Sequence, residues 1–190
     1  MKITRFWCIA AGLTVAAVSA GPASSAAAVP SNPVAAKTVI IAQWASSAKA
    51  TSQYSSPLWS ARQATRRPNT EGCGDRPTAW ASKSQTGIDT LTVGFKIPVV
   101  PKLVKIYQTY NPGQVTKVQV VDVKGKATNV YAAVPEALVP PFTCPVVLEI
   151  PITGVTAKVQ AVRITVDQSK LGIYQNEIDA VQLVGKGTAR

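Results

Sequence analysis

The chain has 190 residues, a formal net charge of +11 and no histidine. This length fits one domain plus a targeting segment. The absence of histidine excludes Ser-His-Asp and Cys-His catalysis, His-based zinc sites and the usual general base near neutral pH. No P-loop, G-x-G-x-x-G or G-x-S-x-G motif is present, and nothing in the spacing of the nine acidic residues selects a catalytic pair. We therefore expect a protein that is not an enzyme.

The first 28 residues predict a secretory signal peptide. Lys2 and Arg5 give a positive start, and the apolar run from Phe6 to Ala20 is long enough for a signal core but too short for a membrane span. Small residues then offer three cleavage positions, of which the last two are favoured: Ala20, Ala26 and Ala28. An uncleaved anchor is the alternative, and the short apolar run disfavours it. We expect a secreted or otherwise extracytoplasmic protein, without a transmembrane segment after signal removal.

Removal of this segment leaves two cysteines, Cys73 and Cys144. An even pair in an exported chain predicts a disulfide, and closing so long a loop is expected to stabilise the fold by about 4 kcal/mol. Two separate thiols are the alternative, which an oxidising compartment disfavours. Metal binding by the pair is not expected, because neither cysteine lies in a Cys-x-x-Cys spacing and no histidine is available.

The positive charge favours anionic partners such as acidic glycans, wall polymers or lipid headgroups. The basic residues are scattered, however, and Arg66-Arg67 is the longest run. A soluble basic surface without a specific partner is therefore the alternative. Nucleic acid is not expected as a partner, because no basic motif of that kind is present and the predicted compartment is the wrong one.

Residues 29–37 predict a flexible arm, and residues 38–187 predict one all-β domain. Successive side chains of a strand point to opposite faces, so the alternation of Leu91, Val93 and Phe95 predicts a strand with one buried side. Pro and Gly punctuate the gaps, as in a sandwich or jelly roll. Eight strands are predicted: Thr38–Trp44, Asp89–Ile97, Leu103–Tyr107, Val115–Val123, Asn129–Val134, Val146–Ile150, Val159–Val166 and Ile178–Val184.

Helix contributes little to this prediction. Residues 56–67 predict at most one helical turn, and no apolar positions recur at a spacing of 3.6 over a useful length. A βαβ arrangement fails because no crossover helices separate the strands.

Four segments carry a resemblance to a known fold: Trp44-Ala45-Ser46-Ser47, Gly74-Asp75-Arg76-Pro77-Thr78-Ala79-Trp80, Ile106-Tyr107-Gln108-Thr109-Tyr110-Asn111-Pro112-Gly113 and Asn176-Glu177-Ile178-Asp179-Ala180-Val181. From about Trp44 to Gly185 the chain resembles the galactose-binding-like, discoidin-type β-sandwich. Within it, the chain is similar to the scarf-like domain of pappalysins and the discoidin-like part of an F-box, leucine-rich-repeat protein. The resemblance implies an eight-stranded jelly roll with a ligand surface on loops at one rim. It implies no particular ligand, because the fold has sugar-, lipid- and protein-binding members and structural ones.

Aromatic, amide and guanidinium side chains are predicted to bind ligand at this rim: Trp59, Arg62, Arg76, Tyr110 and Asn111. A tyrosine ring stacks on the apolar face of a sugar, and an amide bonds its hydroxyls. The alternatives are that Asn111-Pro112-Gly113 is only a tight turn, that the arginines lie on a solvated loop, and that Trp59 is a plug beneath that loop. Trp44 and Trp80 are predicted to lie in the core.

The resemblance also implies a structural calcium ion. Many sugar-binding members hold it with an Asp of the first long loop, backbone carbonyls and a Glu near the C-terminus. Asp75 and Glu177 occupy these positions, and calcium prefers several oxygen ligands. The sequence departs from the pattern at Arg66-Arg67 and Cys73, so a disulfide and ion pairs are the alternative to the metal, including a pair between Asp75 and a neighbouring arginine.

Two hypotheses of function follow. The first is a secreted, non-catalytic binding module that recognises carbohydrate or an anionic cell-surface component through the rim loops. The second is a structural or protein-interaction domain of the cell envelope, without glycan binding. Glycan-array screening and a pull-down of protein partners separate them.

Overall fold

The structure, a computed structural model, describes residues 37–141 and 143–188. The predicted signal peptide, and the predicted arm apart from Lys37, lie outside the described residues. The described part contains nine strands, which are β1 Thr38–Trp44, β2 Ser47–Ala50, β3 Trp80–Ala81, β4 Ile88–Tyr110, β5 Val115–Asp122, β6 Ala127–Ala132, β7 Val146–Pro151, β8 Val159–Asp167 and β9 Glu177–Thr188. Between β2 and β3 one 3-10 turn runs over Ala61–Ala64. No helix among these residues has the length and hydropathy needed to cross a membrane.

The strands form two antiparallel layers that share the long strand β4. One layer contains β1, β9, the second half of β4 and β7, with β3 on β9. The other contains β2, the first half of β4, β8, β5 and β6. The register of β4 shifts between Gly94 and Val99, next to Pro98, which has no N–H for a ladder bond. The chain changes layer there, as strands at the corners of sandwiches do.

This architecture confirms the all-β sandwich prediction, although the strand boundaries differ. The predicted strands Asp89–Ile97 and Leu103–Tyr107 form the single strand β4, because the prolines between them bend the strand without ending it. The two short strands β2 and β3 were not predicted. The expected turn within residues 56–67 is present as the 3-10 turn.

The core lies between the two layers. Leu91, Val93 and Phe95 are buried there, as their alternation predicts. Each fully buried side chain of this size contributes about 1.5–3 kcal/mol through removal of apolar surface from water. Val115 and Val118 are both buried although they differ by an odd number of positions, because a register shift in the pairing of β5 with β8 reverses the alternation.

The two tryptophans assigned to the core have different environments. Trp80 is fully buried, as predicted. Trp44 is only half-buried, so its assignment to the core is wrong. Its ring packs on Tyr107 with 5.3 Å between centroids, and Tyr107 lies on the face of β4 opposite the buried Ile106. Trp44 therefore covers the outer face of its layer.

Five loops meet at one end of the sandwich and form a rim. The first half of β4 runs away from this end in one layer, and the second half runs back toward it in the other layer. Its first residue, Ile88, and its last, Tyr110, therefore lie at the same end. Ile88 pairs with Asp167 and Tyr110 pairs with Glu177, which places the loop between β8 and β9 at that end too. The rim loops are residues 51–79, 82–87, 111–114, 133–145 and 168–176.

Candidate functional site

A disulfide between Cys73 and Cys144 joins the first rim loop to the fourth, which confirms the predicted pairing. The two Cα atoms are 5.4 Å apart and 71 positions apart in the chain. Beside it, the Gly74 amide donates to the Thr109 carbonyl at 2.9 Å, so the first rim loop is also tied to the end of β4. Two long loops are thereby fixed against the sandwich.

A cleft of about 390 Å³ opens beside this disulfide. We call it the tyrosine cleft, and its lining includes Cys73, Gly74, Tyr110, Asn111, Leu138 and Ile173. The walls are mostly apolar, and the half-buried ring of Tyr110 is the aromatic among these lining residues. The structure therefore brings together two of the predicted ligand residues, Tyr110 and Asn111.

The turn after Tyr110 is rigid. Asn111 has φ 42°, a left-handed conformation that asparagine tolerates, and its side-chain N–H donates to the Gln175 carbonyl at 3.1 Å. Gly113 has φ 99°, and a Cβ there would collide with the backbone carbonyl of Glu136. The local conformation of Asn111-Pro112-Gly113 is therefore the tight turn given above as the alternative. The side-chain N–H of Asn111 is already hydrogen-bonded within the protein.

Buried side-chain amides form hydrogen bonds that stabilise this turn. The Asn176 side chain donates to Gln108 Oε1 at 3.0 Å and to the Asn111 carbonyl at 2.9 Å. Its backbone N–H donates to Gln168 Oε1 at 2.9 Å. Gln114 donates to the Asn111 carbonyl at 3.1 Å. Sequence reasoning missed this network, because amide side chains next to turns are usually exposed; only tertiary contacts show that these are buried.

Trp59 lies between the two predicted metal ligands. Its indole N–H donates to Asp75 Oδ1 at 2.8 Å and to Glu177 Oε1 at 3.2 Å. Its ring packs edge-on against Tyr54 at 5.4 Å, and it is half-buried. These residues line a small cavity of about 60 Å³. Asp75 and Glu177 therefore meet as the sequence predicts, with the tryptophan joining them.

Burial favours the neutral form of the Glu177 carboxyl. It is 1% exposed, and burial raises its pKa to about 8. The N–H of Arg76 donates to Glu177 Oε2 at 3.1 Å and acts against this rise, whereas the neighbouring carboxylate of Asp75 raises the pKa further. Burial and the nearby Asp75 thus act in the same direction on the pKa of Glu177.

In the structure, N–H groups rather than further oxygen ligands surround the predicted calcium ligands Asp75 and Glu177. Calcium takes six to eight oxygen ligands, whereas the two carboxyl groups here face N–H donors from Trp59 and Arg76. Among the described residues, no group of three or more Asp, Glu, His or Cys side chains lies close enough together to hold a metal. Calcium binding stays a prediction, which titration calorimetry and melting with a chelator test. The alternative ion pair between Asp75 and a neighbouring arginine is not formed among the described residues, and Asp75 accepts from Trp59 instead.

The predicted arginines lie elsewhere on the first rim loop. Arg62 lines a separate cleft of about 420 Å³ together with Arg66 and Arg67. We call it the arginine cleft. The Arg76 residue is exposed, and its backbone contacts Glu177. The five predicted ligand residues therefore have different places: Tyr110 and Asn111 line the tyrosine cleft, Trp59 lines the small cavity beside Asp75, Arg62 lines the arginine cleft, and Arg76 is exposed on the first rim loop.

Asp179 anchors the first rim loop and is a second residue whose role the sequence reasoning missed. It is fully buried and accepts hydrogen bonds from the Asn69 amide (3.1 Å), the Thr70 amide (3.3 Å) and the Thr70 hydroxyl (2.9 Å). The sequence did offer a clue to this role: Asp179 lies between apolar residues of β9, and a buried acid is tolerated there only when it is hydrogen-bonded.

Asp179→Ala is expected to lower the free energy of unfolding by about 1–3 kcal/mol, because it leaves buried donors without an acceptor. Urea unfolding followed by circular dichroism measures this. Asp122→Ala is the control, since the Asp122 side chain accepts bonds from an exposed turn where water replaces it. Equal losses in the two variants would contradict the anchoring role.

The fold and its rim define a galactose-binding-like β-sandwich, and solved structures share it. One is chitosan-binding module 1 of a chitosanase/glucanase from Paenibacillus sp. IK-5 (18% identity, 73% of this chain and 93% of that chain, TM-score 0.52). Another is the family 32 carbohydrate-binding module of NanJ from C. perfringens, in complex with galactose (18%, 76% and 99%, TM-score 0.51). A third is CpGH89CBM32-4 from Clostridium perfringens, in complex with GlcNAc-α-1,4-galactose (10%, 72% and 89%, TM-score 0.51).

A comparison with protein families identifies the family of this chain. The model of the C-terminal SD scarf domain of pappalysin-1 matches residues 35–189. Since this match covers most of the chain, the protein belongs to that family, which confirms the resemblance seen in the sequence. No curated protein sequence matches the chain.

Proposed function

We propose that this protein is an exported, non-catalytic binding module that recognises carbohydrate through the tyrosine cleft. The observation that carries the proposal is the half-exposed Tyr110 ring in a mostly apolar cleft of about 390 Å³, a volume typical of small-ligand sites. The solved structures that share the fold include modules named for binding chitosan or described in complex with galactose. These structures support carbohydrate as the class of ligand.

The chemistry of the cleft suits a sugar ring. An aromatic face packs against the C–H groups of a pyranose, and polar groups at the edge bond its hydroxyls. The disulfide on one side, and the turn held by Gly113 and the buried amides on the other, fix the walls before binding. A cleft that is already ordered loses less conformational entropy when a ligand binds.

Export is part of the proposal. Disulfides persist in oxidising compartments, and the Cys73–Cys144 pair fits such a location. The signal-like N-terminal segment of the sequence supports the same conclusion. Secretion of the full chain, with N-terminal sequencing of the processed form, tests it.

Tyr110→Ala is expected to weaken binding of the best glycan from an array by about tenfold or more, because the stacking surface is lost. Tyr110→Phe keeps the ring and is expected to retain most of the affinity. Isothermal titration calorimetry on the processed protein measures both.

Tyr54→Ala is the matched control, since Tyr54 is an exposed rim tyrosine outside the tyrosine cleft. We expect less than about a twofold change in affinity for this variant. An array without any binder above background would refute carbohydrate recognition, and equal losses for Tyr110→Ala and Tyr54→Ala would refute the assigned cleft.

A protein-interaction function is the second candidate, and exposed apolar side chains on the fourth rim loop favour it. Val134 is 84% exposed and Val139 is 85% exposed, and Leu138 is exposed between them. Clusters of this kind mark contact surfaces in soluble proteins. A pull-down that recovers a stable partner with the wild type but not with Val134→Lys/Val139→Lys, without any glycan response, would favour this function over the first.

A further inference from the structure

The arginine cleft concentrates positive charge in a concave surface. Arg62, Arg66 and Arg67 line it, and its remaining walls include Gln63, Thr65 and Asn69. These lining residues include no acidic side chain. A cleft walled by one sign of charge focuses its potential and raises the local concentration of counter-ions.

Nothing in the described part of the chain neutralises these three guanidinium groups. The described residues form one ion pair, Lys105–Glu149 at 2.6 Å, and it lies outside the rim. The buried acid Asp179 directs its oxygens to the backbone of Asn69 and to Thr70. The three exposed arginines of the cleft therefore offer their charges to an external anion.

The backbone holds the arginines in place. Arg62 is carried by the 3-10 turn, whose Ala61 and Ala64 are buried. The Thr65 hydroxyl donates to the Arg62 carbonyl at 2.7 Å. Arg66 adopts φ 73°, a conformation that non-glycine residues rarely take, and its amide donates to the Ala45 carbonyl at 2.8 Å. Such a preset arrangement suits ligand binding better than a mobile basic loop.

We propose that the arginine cleft binds the anionic groups of an acidic polysaccharide. A guanidinium group forms paired hydrogen bonds with a carboxylate, sulfate or phosphate. The Gln63 side-chain N–H donates to the Pro57 carbonyl at 2.9 Å. The Gln63 amide oxygen and the Asn69 amide, which also line the cleft, suit the hydroxyls that such a chain carries next to its anionic groups. The cleft shares no lining residue with the tyrosine cleft, so this site stands independently of sugar recognition there.

Calorimetry with sodium polygalacturonate tests the site on the processed protein, with dextran of similar length as the neutral comparison. We expect binding of polygalacturonate that weakens as salt is added, and none of dextran at this site. The triple variant Arg62→Gln/Arg66→Asn/Arg67→Gln is expected to lose about tenfold or more in affinity. Asparagine is chosen at position 66 because it tolerates the left-handed backbone. An unchanged melting temperature shows that the variant folds.

Lys124→Gln/Lys126→Gln/Lys158→Gln is the control, because it removes the same charge from exposed positions at the opposite end of the sandwich. It is expected to change the affinity by less than about twofold. Equal losses in the two triple variants would overturn a specific cleft in favour of diffuse attraction. Arginine-dependent binding to phosphatidylcholine/phosphatidylglycerol vesicles, without binding of polygalacturonate, would overturn the polysaccharide assignment.

The two sites are separable by the same variants. Tyr110→Ala is expected to retain polygalacturonate binding, and the arginine variant is expected to retain neutral glycan binding. Loss of polygalacturonate binding in Tyr110→Ala would overturn the separate site, whereas an array without neutral binders would affect only the proposed function.

Discussion

Replacing Cys73 and Cys144 together by serine is expected to lower the free energy of unfolding by about 4 kcal/mol. The disulfide closes a loop of 71 positions, so its loss releases a large part of the chain entropy of the unfolded state. Chemical denaturation of the oxidised wild type and of the variant, followed by circular dichroism, measures the difference. A loss of this size is a large fraction of the stability of a typical domain.

Wild type unfolded in a reducing agent is the control for this prediction, and it should match the double-serine variant. We also expect the double-serine variant to have a less ordered tyrosine cleft, because Cys73 forms part of its wall and the disulfide joins the first and fourth rim loops. We therefore expect weaker glycan binding by the variant even where it is fully folded. Equal unfolding midpoints for oxidised and reduced protein would contradict a stabilising disulfide.

Glu177 is expected to make the protein less stable as pH rises from about 4.5 to about 8. Its folded pKa of about 8 lies well above the value of about 4.3 for an unfolded glutamate. Below the lower value both states carry the proton, so the full stability is present there. Between the two values the unfolded state loses the proton while the folded state keeps it, so stability falls by at most about 1.4 kcal/mol per pH unit. Above the folded pKa this decline stops.

The chain isolates this effect unusually well, because it contains no histidine to titrate in the same window. Glu177→Gln keeps the shape of the neutral carboxyl and is expected to remove most of the decline, so the variant becomes the more stable protein near pH 8.5. Thermal melting across the pH range measures this. Glu149→Gln, at an exposed ion pair, is the control and should leave the slope as in the wild type. The same slope in Glu177→Gln would refute the assignment.

Much of the fold was predictable because strand signals are local. Alternation identified Leu91, Val93 and Phe95 as core residues, and these are buried. The same logic could not predict that β4 continues past Pro98 into the other layer, since that depends on partners far away in the chain. It also failed for Trp44, whose aromatic character suggests a core position but whose ring covers Tyr107 on the outer face.

The candidate site was predictable only in part. The motifs placed Tyr110 and Asn111 at the rim, and the structure brings them to one cleft. The sequence suggested that Asp75 and Glu177 meet, and it predicted a metal there. It did not predict the indole that joins them in the structure. Trp59 donates across 16 positions to one acid and across 118 to the other.

The β class, the disulfide partners and the family were predictable from residue types along the chain. Alternation and the family motifs are local, and two remaining cysteines allow only one intramolecular pairing. Long-range packing set the remaining features: which loops share a rim, where Glu177 loses contact with water, and how Trp59 joins two acids from distant segments. Burial and charge proximity are properties of positions in space, and they arise only when segments separated by many residues pack together.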